Sequence, residues 1–499
     1  MNIVVRNNIS RKLKNSTSEI RLLFLYKSFY LLFPTNNSTL DAYGYAASIK
    51  YGFDLFKPHH LFYNVFMYVI NKILIFLHFN FDVLSITKTV NTLFQFVNLY
   101  VLYKILKLLK VKYNEIIVIL FIVGFSYSPL RFGTENENYI IPITFSLIAS
   151  FYFLKFTLYK KYSYLFLSGL FASIACLFHQ IHFFWWLGLL LGLLIYQKNI
   201  RALFYYSVTA LIVPLTYFFV IHFYKNEMLN YHNIMHFVFH DYYTGSAKSE
   251  FGINNFIFIV VSTIRTFFQV HPIIIKLIKR NFIYFIPILA LIILIFSFFK
   301  QLLKRKFIKK SVLNNNNFFI KTHLIIFIFY FLFAFYAVGN VEFMVMIPFL
   351  IFISVFYYYK VNIVFLKKLA VTLFIWNIMY GLFPNNYYHF YNDEVLVNFI
   401  IAHPNDTFLV HEHTVLNQFT YKTGIERKHL FRLKNYDKLI AEKPIKKGYF
   451  YTDVFNKPKV FNRAYLVENK NVKFNKYRKE LIKTYEGLYG ISYIYKVYY

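Results

Sequence analysis

The chain has 499 residues, of which 58% are hydrophobic and 23% aromatic, and its formal net charge is +33. Repeated apolar runs in that composition exclude an ordinary soluble protein and predict an α-helical polytopic membrane protein surrounded by membrane lipids. The single cysteine, Cys176, excludes a disulfide framework and a thiolate metal site. Most lysines lie between apolar runs, which is typical of cytoplasmic membrane loops and argues against nucleic acid as a partner.

About eleven membrane-spanning helices are predicted, because that many apolar runs approach the length needed to cross a bilayer. They lie at residues 18–34, 84–108, 114–130, 139–158, 161–178, 182–197, 201–223, 281–299, 321–338, 340–360 and 365–383. The first has no small-residue cleavage site, so it is interpreted as a retained span. Two further apolar stretches, 60–79 and 253–275, are interrupted by polar side chains and are interpreted as helices in the membrane interface.

The distribution of Lys and Arg predicts the orientation of these helices. With 60–79 in the interface, the predicted cytoplasmic segments hold 23 Lys and Arg, and the external segments before the tail hold 10. If 60–79 spanned the membrane instead, 11 would lie inside and 21 outside. The positive-inside rule favours the first arrangement, with the N-terminus cytoplasmic and the C-terminal tail external.

Residues 384–499 differ in kind from residues 1–383. They hold 19 Lys and Arg and 11 Asp and Glu, without a long apolar run. Short β-like runs alternate with helix-like stretches, which predicts a small α/β domain outside the membrane. The β-like runs are 407–410, 449–452, 459–467 and 491–499, and the helix-like stretches include 393–402 and 435–441.

The predicted external loop, residues 35–83, is the most polar part of the membrane domain. Two helices are predicted in it, one beginning near Thr39 with Ser38 as its cap and one from about residue 60 to residue 79. Asp41 then falls in the first turn of the first helix, where the helix dipole stabilises a negative charge. The adjacent pair His59–His60 follows Pro58, which interrupts the chain between the helices.

Two motifs resemble a known superfamily. Asp41 to Asn64, DAYGYAASIKYGFDLFKPHHLFYN, is similar in its order of Asp, Tyr, Gly and Phe and in its Pro-His-His-Leu-Phe-Tyr ending to the first external loop of GT-C glycosyltransferases. Arg131 to Tyr139, RFGTENENY, resembles a turn of bacterial members. The resemblance covers residues 20–380 in layout and these two motifs in detail. It implies a GT-C-like membrane domain at 1–383 in a bacterial inner (plasma) membrane.

That resemblance implies an integral membrane glycosyltransferase, moving a hexose or pentose from a polyprenyl-phosphate donor to a lipid, glycan or protein acceptor on the external face. Asp41 would be the base that removes the acceptor proton, and a single displacement would invert the anomeric centre. Glu135 or Glu137 would position a hydroxyl or assist Asp41. The alternative is structural, because carboxylates at a helix start are also stabilised by the helix dipole.

A leaving phosphate needs cations or hydrogen-bond donors. The candidates in the two motifs are His59, His60, Lys57 and Arg131, which would act by charge or by donation. Their alternative is an ordinary solvated loop with snorkelling side chains. Glu342, in the turn GNVEF, is predicted on the same side as a substrate-binding carboxylate or as an interfacial one.

No metal or other cofactor is predicted. His232, His236 and His240 recur every four residues, as metal ligands on one helix face can, but the polar face of an external helix explains them better. The GT-C resemblance leaves a divalent cation at Asp41 with Glu135 or Glu137 open, since some members use one and others do not.

Two other functions fit a polytopic chain. A transporter or lipid flippase would place charges or Gly and Pro breaks within several spans, often in related halves. Here the polar residues gather in predicted external loops instead. A polysaccharide polymerase of cell-envelope glycans would need a basic external loop, and residues 224–280 are only mildly basic.

Overall fold

A computed structural model describes residues 30–245, 251–271, 273–303, 308–309, 317–433, 448–455 and 477–498. Most of the predicted first span, 18–34, lies outside these residues. So do the predicted helix at 435–441 and the predicted strand at 459–467.

The first part of the described chain is helical and carries most of the predicted site. Its helices are α1 (Leu40–Tyr51), α2 (Tyr63–Phe76), α3 (Val83–Leu108), α4 (Tyr113–Phe125), α5 (Tyr127–Gly133), α6 (Ile140–Tyr159) and α7 (Tyr162–Phe178). Between α4 and α5 the axis bends by 62° at Ser126, whose backbone is extended. Pro129 is tolerated just beyond the bend, because the first amide groups of a helix have no intrahelical partner.

The middle of the chain contains helices whose type changes along their length. The α-helical parts are α8 (Phe183–Gly192), α9 (Ile200–Ser207), α10 (Ile212–Phe219), α11 (Tyr231–Val238), α12 (His240–Tyr243), α13 (Ile253–Phe267), α14 (Ile273–Arg280) and α15 (Ile286–Leu303). A 3₁₀ turn, Gln180–His182, precedes α8, and π turns extend α8 to Gln197 and α10 to Tyr224.

The last membrane segments are α16 (Asn317–Tyr336), α17 (Ile347–Ile353), α18 (Ile363–Asn377) and α19 (Phe383–Tyr387). Short 3₁₀ turns, Val341–Met344 and Val355–Tyr358, flank α17, and a π turn, Ile378–Leu382, joins α18 to α19. Two-residue strands, β1 (Ile308–Lys309) and β2 (Tyr359–Lys360), pair antiparallel.

Within the described chain, seven helical stretches are long and apolar enough to cross a membrane, or eight if the bent pair α4–α5 is one span. A multi-pass membrane protein is therefore confirmed, whereas the predicted count of eleven is not. Two of the predicted spans form helices that are not among these seven. Residues 84–108 form α3, which buries the amide side chains of Asn91, Gln95 and Asn98. Residues 161–178 form α7, which has only 17 residues. The predicted interfacial stretches form α2 and α13, of 14 and 15 residues, which are short for a 30 Å hydrocarbon core.

A small sheet near the C-terminus confirms the predicted α/β character of this region. Its elements are α20 (Glu394–Ala402), β3 (Phe408–Val410), α21 (His413–Thr423), β4 (Leu430–Arg432), β5 (Tyr449–Thr452), β6 (Arg478–Gly487) and β7 (Gly490–Tyr498). The strand order is β4-β3-β5-β7-β6, with β3 parallel to both neighbours and β7 antiparallel to both of its own. The domain boundary at residue 384 stays a prediction.

The sheet-bearing region packs on the membrane helices at two places. Helix α21 lies along α1, where Asn417, Gln418 and Tyr421 contact it. The β6–β7 turn enters an apolar cluster in which Tyr489 packs with residues of α14 and α18. Lys276 donates a hydrogen bond to the carbonyl oxygen of Tyr489. The two contacts hold this region against both the predicted loop and the bundle.

Small residues allow close approach between membrane helices. A Cβ atom at Gly169 in α7 would overlap the carbonyl oxygen of Tyr206 in α9. We expect Gly169→Ala to destabilise the protein by about 1–3 kcal/mol, because the backbone of α9 must move. Thermal unfolding in detergent measures the effect.

The control is Gly252→Ala, since Gly252 has extended backbone and no atom within 4 Å of the added Cβ. Equal unfolding midpoints for Gly169→Ala and Gly252→Ala would contradict the close packing of α7 on α9.

Candidate active site

Helix α1 begins one residue later than its predicted cap implies. Thr39 is the N-cap, because its backbone is extended and its hydroxyl accepts a hydrogen bond from the amide of Ala42 at 3.1 Å. The predicted cap, Ser38, is therefore wrong, although Asp41 lies in the first turn as predicted. The Thr39 hydroxyl also donates to the carboxylate of Glu137. One side chain thus caps α1 and joins it to the turn between α5 and α6.

That turn, residues 134–138, is buried although every side chain in it is polar. Glu135 and Asn136 are 0% exposed, and Glu137 is 2% exposed. The Asn91 amide of α3 donates to the carbonyl oxygens of Glu135 and Glu137, at 2.7 and 2.8 Å. These bonds replace the water that a buried backbone loses.

Asn136 joins the buried turn to both helices of the predicted loop. Its amide donates to the carbonyl oxygen of Ala42 in α1 at 2.7 Å. Its carbonyl oxygen accepts from the Tyr63 hydroxyl of α2 at 2.8 Å. Asn138 donates to the Tyr45 hydroxyl of α1 at 3.2 Å. The turn therefore determines where α1 and α2 lie relative to α3.

Arg131 and Glu135 form an ion pair with 3.0 Å between Nη2 and Oε2. Arg131 Nη2 also donates to the carbonyl oxygen of Asn37, at 2.9 Å. Its Nη1 is buried and has no hydrogen-bond partner among the described residues. The structure thus places two predicted site residues in contact. Nη2 of Arg131 is bonded, whereas Nη1 is not bonded to any described residue.

Four carboxylates lie close enough around α1 for their charges to act on one another. The pKa of Glu137 is raised well above its usual range, mainly by burial and then by the negative charges of Glu342 and Asp41. The charge of Glu135 adds a smaller rise, and the hydrogen bond from Thr39 lowers the pKa. Glu137 therefore holds a proton more readily than an ordinary glutamate side chain does. Glu342 is half-buried and accepts hydrogen bonds from the Tyr139 hydroxyl at 3.1 Å and the Asn340 amide at 3.3 Å.

Asp41 combines accessibility with a raised pKa. Desolvation by surrounding protein and the charges of Glu342 and Asp241 raise the pKa of Asp41 to about 6, against the lowering effect of Lys57. Its side chain nevertheless remains exposed to solvent. Asp41 is ionised at neutral pH and close to the range in which a base works best.

A histidine cluster lies beside α1. The rings of His59 and His60 are 4.4 Å apart between centroids, and the ring of His60 lies 4.8 Å from that of Tyr45. His60 is 1% exposed, and neither of its nitrogens has a hydrogen-bond partner among the described residues. Burial, helped by His59, His179 and Lys57, lowers the pKa of His60 well below its usual range. His60 is thus neutral, and one nitrogen still carries a proton that it can donate.

The other two loop candidates are paired at the surface. His59 Nδ1 lies 3.4 Å from a carboxylate oxygen of Asp241, and burial lowers the pKa of His59 despite that charge. Lys57 forms an exposed ion pair with Asp54. Both candidates lie at the rim of the cluster and not inside it.

Sequence reasoning missed several residues of this site. Tyr45 contacts His60, and Tyr139 donates a hydrogen bond to Glu342. The chain has 46 tyrosines, so the sequence alone does not distinguish these two from the others. Asp241 follows His240 in the chain, and its pairing with His59 joins segments that are far apart in sequence. Thr39 differs from the predicted cap by a single position.

His232, His236 and His240 do not share one helix. Helix α11 ends at Val238, so His240 begins α12, and neighbouring rings in the series are 5.9 and 6.5 Å apart. Together with Lys225, Glu227 and Asn233 they line a polar cleft of about 410 Å³. Across the described ranges, no three His, Cys, Asp or Glu side chains are grouped so that they could hold one metal ion.

No protein-family model matches this chain. No curated protein matches it by sequence. Among solved structures, the chain is similar to the Archaeoglobus fulgidus oligosaccharyltransferase, crystallised in complex with zinc and sulfate. That similarity covers 87% of this chain and 68% of the archaeal one, with a TM-score of 0.43 and 9% sequence identity. At such values no residue of one chain is equated with a residue of the other.

Proposed function

We propose that this chain is a GT-C-like membrane glycosyltransferase that moves a hexose or pentose from a polyprenyl-phosphate donor to a hydroxyl of a lipid, glycan or protein acceptor. The predicted external face would hold the reaction. One observation carries the proposal: an accessible, partly desolvated carboxylate, Asp41, lies one helical turn from Tyr45, which packs on the buried His60, whose nitrogens have no hydrogen-bond partner among the described residues. The candidate base and the candidate phosphate donor thus share Tyr45 as a neighbour.

In the proposed reaction, Asp41 removes the proton of the acceptor hydroxyl. The acceptor oxygen forms a bond to the anomeric carbon from the side opposite the phosphate, and the bond from that carbon to the phosphate oxygen breaks. The configuration at the anomeric carbon is inverted, and polyprenyl phosphate leaves with the bonding electrons. Asp41 then releases its proton to solvent, which reaches it directly.

The leaving phosphate would be bound by two of the buried nitrogens that have no hydrogen-bond partner among the described residues. These are the buried Nη1 of Arg131 and a ring nitrogen of His60. Both are separated from water, so a hydrogen bond to an anion there is stronger than at the surface. His59 and Lys57, at the rim, would add positive or polar character to the entrance.

The remaining carboxylates would act in different ways. Glu342, which is half-buried, would accept hydrogen bonds from sugar hydroxyls. Glu137, buried and bonded to Thr39, would assist Asp41 by holding the start of α1. Glu135 would hold Arg131 in place. A divalent cation beside Asp41 remains compatible with this scheme and is not required by any step in it.

The structure offers little support for a transporter. Two histidines are buried within spans, His182 in the segment Gln180–Gln197 and His323 in α16. Each lies 2.7 Å from a serine hydroxyl of α6, Ser146 or Ser150. Such bonds hold helices together in a bundle without requiring a substrate path.

We expect Asp41→Asn to lower the transfer rate by about 10²–10⁴-fold, because an amide keeps the shape of the carboxylate but cannot accept a proton. The assay uses purified protein in detergent with a polyprenyl-phosphate sugar. Asp54→Asn is the matched control, since Asp54 lies in the same loop and is exposed in an ion pair with Lys57. Wild-type turnover by a folded Asp41→Asn protein would leave Asp41 with a structural role only.

The rate should rise with pH through about 6, because the base acts in its ionised form and burial raises the pKa of Asp41 to about 6. Asp241→Asn removes a negative charge that raises this pKa, so the midpoint should move to lower pH. Lys57→Gln removes a positive charge that lowers it, so the midpoint should move to higher pH. If neither substitution shifts the midpoint of the pH–rate profile, the loss of activity at low pH is due to protonation of a group other than Asp41.

Loss of the phosphate donors should weaken use of the sugar donor more than use of the acceptor. His60→Phe keeps the ring but removes both nitrogens. We expect it to raise the KM for the polyprenyl-phosphate sugar by an amount equivalent to about 1.5–3 kcal/mol. For Arg131 the double change Arg131→Gln with Glu135→Gln avoids leaving a buried charge unpaired.

The same preparations are offered a nucleotide sugar with the same acceptor. Transfer from the nucleotide sugar alone, at a rate that neither His60→Phe nor the double change alters, would overturn the donor assignment. It would also overturn the proposed GT-C relationship.

A further inference from the structure

The C-terminal region reaches the first turn of α1, where Asp41 lies. We propose that Asn417 in α21 is a positioning residue for Asp41, so that the sheet-bearing region is part of the catalytic machinery. This inference rests on the proposed function, because it is Asp41 as a base that would need to be positioned.

The contact is made at the peptide bond that precedes Asp41. Asn417 Nδ2 donates to the carbonyl oxygen of Leu40 at 2.9 Å. That oxygen belongs to the peptide unit whose nitrogen is the Asp41 nitrogen. Because peptide units are planar, holding this oxygen restricts the orientation of the Asp41 Cα and hence the direction of its side chain.

The Asp41 carboxylate itself is not held by a hydrogen bond from any described residue, although Glu342, Asp241 and Lys57 act on it through their charges. Its direction therefore depends on the backbone of α1. Three contacts constrain that backbone at its start: the Thr39 cap, the bond from Asn136 to the Ala42 carbonyl oxygen and the bond from Asn417 to the Leu40 carbonyl oxygen. Of these, the Asn417 contact is made by the sheet-bearing C-terminal region and acts on the peptide unit of Asp41 itself.

Gly44 leaves the space for this contact. It lies one turn after Leu40, and a Cβ atom there would be 3.0 Å from Asn417 Nδ2, closer than nearly all real Cβ contacts. Glycine is otherwise a poor residue for a helix interior. Its presence in α1 is explained by the approach of the Asn417 amide.

The docking of α21 on α1 does not depend on Asn417 alone. The carbonyl oxygen of Tyr421 accepts from Lys50 Nζ at 3.2 Å and from the Tyr51 hydroxyl at 3.1 Å. The Tyr421 hydroxyl bonds to the Asp82 carboxylate at the start of α3. The distant contact at Tyr489 holds the other end. Removing the Asn417 amide should therefore release the start of α1 without releasing the region.

The test compares Asn417→Ala, Gly44→Ala and the combination of both in the full-length protein. We expect each single change to lower kcat by about 10–100-fold with little effect on the donor KM, as a small displacement of a reacting group does. The double variant should be no slower than the slower single one, because both changes break one contact. Asn398→Ala is the control, since Asn398 is exposed in α20 and its side chain accepts a hydrogen bond from Lys422, away from α1.

Amide hydrogen exchange of the peptide covering residues 40–47 gives a readout that needs no activity. It should become faster in Asn417→Ala and stay unchanged in Asn398→Ala. Wild-type kcat and wild-type exchange in Asn417→Ala would overturn the proposal. If the wild-type protein transfers no sugar while exchange still rises, the proposed function fails and the placement of Asp41 by Asn417 stands.

Discussion

The structure depends on burying a turn in which every side chain, from Thr134 to Asn138, is polar. Inside a membrane protein such a turn must find its hydrogen bonds within the protein, because lipid supplies none. Asn91 bonds two of its carbonyl groups, Asn136 bonds α1 and α2, and Thr39 bonds Glu137. These bonds join three helices at one point, so the place of Asp41 follows from them.

The same burial gives the carboxylates around α1 different surroundings. Glu135 is held by Arg131, burial and neighbouring charges raise the pKa of Glu137 well above its usual range, and Asp41, whose pKa is raised to about 6, remains accessible. Pairs of similar groups whose surroundings push their pKa values apart are typical of sites that transfer protons. Glu342, bonded to Tyr139, remains available at the rim of the site.

Helices and strands that follow from runs of many residues could be predicted from the sequence. Contacts in which one side chain meets a single distant partner could not. Apolar runs indicated most helices, and β-branched and aromatic runs indicated β3, β5 and β7. Strand β6 was missed, because it is exposed along nearly its whole length and shows no apolar alternation. Arg131 was expected to bind phosphate by its charge, and no sequence pattern reveals that Glu135 and the carbonyl oxygen of Asn37 both contact its Nη2. The prediction that His232, His236 and His240 lie on one face of a single helix was wrong, because α11 ends at Val238.

The contact between Leu40 and Asn417 joins residues that are 377 positions apart in the chain. During synthesis α1 enters its surroundings long before α21 exists. The outer side of α1 therefore stays uncovered until the C-terminal region has been made and has docked, since segments pack in the order in which they become available. The membrane bundle can be assembled while the start of α1 still lacks its contact with Asn417. The contact of Asn417 with α1 can thus form only after the contacts within the earlier helices are available.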